Sequence, residues 1–235
     1  MIGIICAMQI EADGILALAQ NTKEETINDM RFISGTLNGK EMVTVVCGVG
    51  KVNAAMCAVT LINRYAPDLV INSGVAGALS PLVSIGDLVI ASKTVEHDMN
   101  TTALGDKQGE VSFPDGKVMY FVCDKTASDQ LAACARALPE TKVTQGIVAS
   151  GDIFVSDRRK RLLINDRFGA LACEMEGAAI GHVCRCCHVP FAVLRAISDD
   201  MDENKGMDFV RFCSVAAEKT VAVIDAFTKA YDENP

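Results

Sequence analysis

The stretch "CEMEGAAIGHV" (Cys173–Val183) lies where an apolar run, Ala170–Cys173, gives way to a helical pattern over Glu176–Cys187. A short segment that is apolar at every position reads as a strand covered on both faces, and a helix directly after it suggests a crossover to a parallel neighbour. Two carboxylates at that junction, Glu174 and Glu176, bracket Met175. A core segment avoids Glu, because an unpaired buried carboxylate costs on the order of several kcal/mol to desolvate. A solvated helix start welcomes it, since acids favour the N-terminal end of the helix dipole. The other reading is that these acids line a pocket for something rich in hydroxyls.

Outward from this junction the same grammar repeats. Strands are expected at Ile2–Ala7, Arg31–Leu37, Glu41–Cys47, Leu69–Asn72, Asp87–Ala91, Val118–Cys123, Thr144–Ser150, Ala170–Cys173 and Phe191–Ile197. Helices are expected at Ile10–Ala19, Val52–Tyr65, Ala127–Leu138, Asp157–Phe168, Glu176–Cys187 and Met207–Tyr231. The last carries apolar residues at Phe209, Phe212, Val215, Ala216, Val223 and Phe227, close to a helical period. "LNGK" (Leu37–Lys40) supplies an Asn-Gly turn, so the second and third strands form a hairpin. Together these predict an α/β fold whose mixed, mostly parallel sheet is covered on both faces.

With 235 residues, half of them hydrophobic, and with no linker, repeat or low-complexity tract, one domain spanning 1–235 is expected. A net charge of −8 argues against broad contact with a nucleic-acid backbone. The basic run "DRRKR" (Asp157–Arg161) is expected to cover a solvated helix face. "MIGIICAM" has no basic leader and reads as a first strand, and no segment approaches the ~20 apolar residues that span a bilayer. A cytoplasmic protein with reduced cysteines is expected, without membrane contact. "HVCRCCHV" (His182–Val189) lacks a second ligand pair at zinc-like spacing, so no metal is expected.

In such sheets ligands bind beyond the carboxyl ends of the strands. Those ends carry Gly-rich turns and Glu11, Phe154, Glu174, Glu176, Arg195, Ser198 and Asp199. Each has a plain reading: Glu11 as a helix cap, Phe154 as core, Asp199 as the start of the polar loop "SDDMDENKG". Jointly, four acids and an aromatic at one sheet edge are harder to dismiss. The Gly turns do not carry phosphate fingerprints. "CGVGKVN" (Cys47–Asn53) lacks the P-loop's upstream glycine and following Ser or Thr, and puts Asn53 where the dinucleotide motif wants Gly. The glycines are expected to permit close approach of backbone to a neutral ligand or another strand.

"GIICAMQIEAD", "CGVGKVNAA", "INSGVAGAL", "SGDIFV", "CEMEGAAIGHVC" and "VPFAVLRAISDD" together resemble, in order, the signature segments of the bacterial 5′-methylthioadenosine/S-adenosylhomocysteine nucleosidases, of the purine nucleoside phosphorylase superfamily. The similarity runs over roughly residues 1 to 231. It implies a three-layer α/β/α sandwich around the mixed sheet, a homodimer, and cofactor-free cleavage of adenine from a thio-substituted ribose. By this resemblance Glu11 activates the attacking water, Glu176 holds the ribose hydroxyls and Asp199 protonates adenine N7 with help from Ser198. Phe154 stacks on the base, the backbone of Val155 meets its Watson–Crick edge, Met175 packs on the sugar, and Glu174 and Arg195 complete the polar wall. The segment His97–Gly116 resembles the loop that helps form the partner subunit's pocket. Two departures stand out: Val75 where the family often has Ser, and Leu104 where Phe is common.

The chemistry asks for such a set independently. Adenine leaves poorly as an anion, so a positioned acid helps, by typically about 10²–10⁴-fold. That acid must keep its proton near neutral pH, which burial or a neighbouring charge can arrange; Asp200 follows Asp199 in sequence. Carboxylates stabilise the positive charge that develops on the ribose. Phosphate as nucleophile would need cations near the first loop, and no Lys or Arg occurs through residue 22. Hydrolysis of methylthioadenosine and S-adenosylhomocysteine, with 5′-deoxyadenosine as a further candidate, is therefore expected. The alternatives are a futalosine-type nucleosidase, a phosphorylase, a non-catalytic nucleoside sensor and a metal module built on "CRCCH".

Overall fold

The structure, a computed structural model, describes residues 1–199 and 209–231. Twelve strands and six helices are found among them: β1 Ile2–Cys6, α1 Gln9–Leu18, β2 Gln20–Ile27, β3 Met30–Leu37, β4 Lys40–Val46, α2 Lys51–Tyr65, β5 Leu69–Ala78, β6 Leu88–Glu96, β7 Val111–Phe113, β8 Gly116–Val118, β9 Phe121–Val122, α3 Lys125–Arg136, β10 Val143–Ser150, α4 Arg158–Phe168, β11 Ala170–Glu174, α5 Gly177–Cys187, β12 Phe191–Asp199 and α6 Phe209–Ala230. A 3₁₀ turn at Thr102–Leu104 lies between β6 and β7.

The main sheet has the order β11-β10-β6-β12-β5-β1-β4-β3-β2. Its interior pairs β4–β1–β5–β12 run parallel, as do β6–β10–β11. β2, β3 and β4 form an antiparallel meander, and β11 also meets β5 antiparallel, drawing the far side of the sheet back on itself. The sheet is thus mixed, with helices on both faces.

Alternation along β1 shows how the layers are made. Ile2, Ile4 and Cys6 pack toward α1, α3 and α6, while Ile5 packs toward α2 and α5. Both faces of β1 are buried, which is why it is apolar throughout. The helix starts obey simple capping chemistry: Asp124 accepts from Ala127 N at 2.8 Å and Asp157 from Lys160 N at 2.7 Å, opening α3 and α4.

Several expectations need correction. β2 was not foreseen: "QNTKEETI" is polar because β2 is a sheet edge, where charge blunts unwanted pairing. β5 continues six residues beyond the expected Asn72, through a glycine-rich tract that reads as a turn. The strand expected at Val118–Cys123 is split, because Pro114–Gly116 turns β7 back into β8 and β9 joins β6 separately. Asp200, and the Met207 start expected for the last helix, lie outside the described residues. Among the described residues no helix is long and apolar enough to cross a membrane.

Candidate active site

A cavity of about 400 Å³ opens at the carboxyl ends of β1, β5, β11 and β12. Of the residues singled out from the sequence, Glu11, Phe154, Glu174, Met175, Glu176, Ser198 and Asp199 line it. Arg195 does not; it is fully buried behind Glu174. Val155 is also buried away from the lining, its carbonyl taken by Arg161 Nε at 2.9 Å. Phe154 stands at the lip, half exposed.

Glu11 lies in the first turn of α1 and turns back on the strand-to-helix junction. Its Oε2 accepts from Ala7 N and Met8 N, each at 2.9 Å, and its Oε1 from Val75 N at 3.0 Å. A carboxylate has about four acceptor positions, so one is left for a ligand or water. Burial pushes the Glu11 pKa up, against the pull of Arg195 and the three N–H donors. The cap reading and the site reading of this residue therefore coexist.

Glu174 and Glu176 are treated differently. Glu174 accepts from Ser150 Oγ, Arg195 Nη2, Glu176 N at 3.0 Å and Gly177 N at 2.7 Å, which saturates it. Burial alone would raise its pKa, but Arg195 and these donors hold it below the usual value. Glu176, two residues later at the start of α5, accepts from Gly50 N at 2.9 Å, leaving most of its acceptor capacity toward the cavity. Burial, reinforced by the charge of Glu174, pushes Glu176 up to about 7.

Asp199 ends β12 after an irregularity in register between Ile197 and Asp199, the kind of bulge that re-aims a side chain. Its Oδ1 is 3.0 Å from Ser198 Oγ, and its Oδ2 accepts from Arg161 Nη2. Arg161 belongs to the run expected to cover a solvated face. Arg158 and Arg159 are exposed, but Arg161 is buried against the site. No sequence signal separates it from its basic neighbours except its position, one turn into a helix that packs on the sheet.

The glycines of "SGVAG" also acquire a reason that differs from the expected one. A Cβ on Gly74 would come within 2.7 Å of Glu11 Oε1, and one on Gly77 within 2.8 Å of Asp199 Oδ2. What approaches these glycines so closely is the pair of carboxylates. Val75 between them lines the cavity and offers Glu11 its backbone N–H, with no hydroxyl.

No Lys or Arg is among the residues described as lining the cavity. The described residues hold no group of three His, Cys, Asp or Glu side chains able to bind a metal ion. The arrangement offers a buried carboxylate with one free acceptor position, a second with several, and a carboxyl group braced by a hydroxyl and a guanidinium. That is a set for proton transfer and for holding hydroxyls.

A family model described as the phosphorylase superfamily matches residues 1–229. The chain is 35% identical over 229 residues to a 5′-methylthioadenosine/S-adenosylhomocysteine nucleosidase of Shewanella loihica, covering 97% of this chain and 98% of that one. The solved structure of the nucleosidase of that name from Neisseria meningitidis, in complex with methylthio-immucillin-A, matches with a TM-score of 0.92 at 33% identity, over 98% of this chain and 99% of that one. Futalosine hydrolase of Helicobacter pylori matches with a TM-score of 0.90 at 29% identity, over 98% and 97% of the two chains. On this fold, cavity and similarity, the chain belongs to the phosphorylase superfamily and, within it, to the 5′-methylthioadenosine/S-adenosylhomocysteine nucleosidases.

Proposed function

We propose that the chain hydrolyses the N-glycosidic bond of 5′-methylthioadenosine and S-adenosylhomocysteine, releasing adenine and the thio-substituted ribose. The observation that carries this reading is the convergence of Glu11, Glu176 and Asp199 on one cavity whose described lining holds no cation. Glu176 accepts hydrogen bonds from the ribose diol, and Met175 gives the sugar an apolar surface. Phe154 stacks on the base, while Val155, buried behind it with its carbonyl held by Arg161, fixes the loop that faces the Watson–Crick edge. The C1′–N9 bond breaks with its electron pair passing to adenine, while Asp199 gives N7 a proton, so neutral adenine leaves. The positive charge on the ribose is stabilised by the surrounding carboxylates. Water bonds to C1′ as Glu11 accepts its proton at the remaining acceptor position. Glu174, Arg195 and Ser198 hold these groups in place. A dianionic phosphate entering instead of water would meet acids without a cation, which favours hydrolysis over phosphorolysis.

The chain acts as one nucleosidase domain over 1–235, in the cytoplasm. It works as a homodimer, with the segment 97–116 of each subunit contributing to its neighbour's pocket. Support for the dimer comes from apolar side chains left exposed on α2, Val52 at 78% and Met56 and Val59 at 39% each, and from Leu104 at 81%. Futalosine is the substrate of the second reading, favoured by the likeness to the Helicobacter pylori enzyme.

Product analysis tests the proposal: methylthioadenosine, S-adenosylhomocysteine and futalosine, each with and without phosphate. Free adenine at the same rate in both conditions is expected from the first two. A strict phosphate requirement would make the protein a phosphorylase, and turnover of futalosine alone would select the second reading. Glu11→Gln is expected to bind substrate and lose turnover; turnover equal to wild type removes Glu11 from the chemistry.

A further inference from the structure

We propose that Arg161 is a positioning residue for Asp199, fixing the carboxyl group that faces the purine and stabilising the charge left on it once its proton has moved to N7. This rests on the reading of Asp199 as the acid. Arg161 is 4% exposed, in a helix whose neighbouring basic residues face solvent. Its guanidinium joins three segments. Nε donates to Val155 O at 2.9 Å in the loop after β10, Nη1 to Ala78 O at 3.3 Å at the end of β5, and Nη2 to Asp199 Oδ2 at the end of β12. The planar fork of arginine can meet three fixed acceptors at once, which a lysine ammonium on a flexible stem does not reproduce. The same side chain therefore ties the loop that carries Phe154 and Val155 to the group that protonates the base.

The charge balance assigns it more than a bracing role. From α4 Asp199 meets the guanidinium, and from its own strand the hydroxyl of Ser198. Cys173 of β11 and Cys213 of α6 also face it, but burial pushes these thiols up to about 12 and about 11, so they stay neutral. Arg161 is thus the cation that the described residues bring to Asp199. As the C1′–N9 bond breaks and the proton passes to N7, Asp199 becomes a carboxylate beside a guanidinium already in contact, with no reorganisation required. An interaction that strengthens in this way raises kcat more than it lowers KM.

The test compares wild type, R161M, R161K, D199N and the double variants R161M/D199N and R161K/D199N on methylthioadenosine, in single-turnover mode, with thermal melts on each. R161M is expected to lower kcat about 10²-fold, the scale of losing one preorganised donor, with little change in KM. R161K keeps the charge but not the fork, and recovers part of kcat. In the D199N background neither substitution costs anything further. Equal losses in both backgrounds, or a loss in R161M that falls on KM rather than kcat, would reduce Arg161 to a structural brace and overturn the inference. Should R161M fail to fold, the R161K cycle decides by the same additivity criterion. D199N turning over at the wild-type rate would instead sink the assignment of Asp199 itself.

Discussion

Two glutamates separated by one methionine show how far neighbouring residues can diverge once the fold has placed them. Glu174 points into a nest of three donors and a guanidinium and is spent on structure. Glu176 accepts from Gly50 N and is pushed up to about 7 by burial and by the charge of Glu174. If its carboxylate form grips the ribose diol, binding weakens as that form is lost. We therefore expect kcat/KM for methylthioadenosine to fall as pH drops below about 7, approaching about tenfold per pH unit, since this ratio reports the free enzyme's ionisations. In Glu176→Gln the limb at 7 should vanish while kcat/KM is low throughout. A wild-type profile flat from pH 5.5 to 8 would contradict the role. The acids themselves were legible in the sequence as charged residues at the ends of apolar strands. The division of labour between Glu174 and Glu176 was not, because it depends on Ser150, Gly50 and Arg195, which approach from other strands and loops. Arg161 was illegible for a related reason: a basic residue on a helix looks solvated until the helix is docked.

At the level of elements, the site is made by the ends of β5 and β12 lying side by side. β5 runs to Ala78 through Gly74 and Gly77, so its backbone can pass directly beneath Glu11 and Asp199. Read as sequence, the tract "SGVAGA" is a turn, and the predicted strand stopped at Asn72. The absent side chains are what the two carboxylates require. Gly74→Ala would set a Cβ 2.7 Å from Glu11 Oε1 and 3.1 Å from its Cδ, and Glu11 is pinned by three backbone N–H groups, so it cannot yield without losing them. A misplacement on the scale of 1 Å can cost about 10²-fold in rate, and that is the loss in kcat expected for Gly74→Ala. Assays paired with a thermal melt check it; a folded variant with unchanged kcat would show that Glu11 tolerates displacement. The parallel interior of the sheet and all six helices were readable from periodicity and turn chemistry, because both faces of the sheet are covered. The edge strand β2 and the small β7–β8 hairpin were not, since neither has enough apolar surface to leave a pattern.

For the molecule as a whole, collecting buried acids around one cavity has a consequence for stability. Glu176 binds its proton up to about 7 in the folded protein, against an ordinary value of 4.5. Burial shifts Glu11 in the same direction. Between those values the folded state holds protons that the unfolded state has released, so stability falls as pH rises through this window and stays reduced above it. Glu174 opposes this, because its pKa is held down by Arg195, and the stabilisation that it adds is lost only on acidification. A rise from 4.5 to about 7 corresponds to about 3 kcal/mol for Glu176 once it is fully ionised. Glu176→Gln removes that ionisation, while the amide oxygen can still accept from Gly50 N. The variant should therefore gain stability relative to wild type as pH rises, by about 2 kcal/mol between pH 5 and pH 8, or roughly 4–8 °C in Tm for a chain of this size. Calorimetry of both proteins at the two pH values measures the change. A gap in Tm that is the same at pH 5 and pH 8 would mean that Glu176 is not held in a desolvated, ionised state, and the strain assigned to the acid cavity would have to lie elsewhere. If the gap opens as expected, the substitution that makes the protein more stable is the one that removes its grip on the ribose, which places the cost of this site in the carboxylate that does the binding.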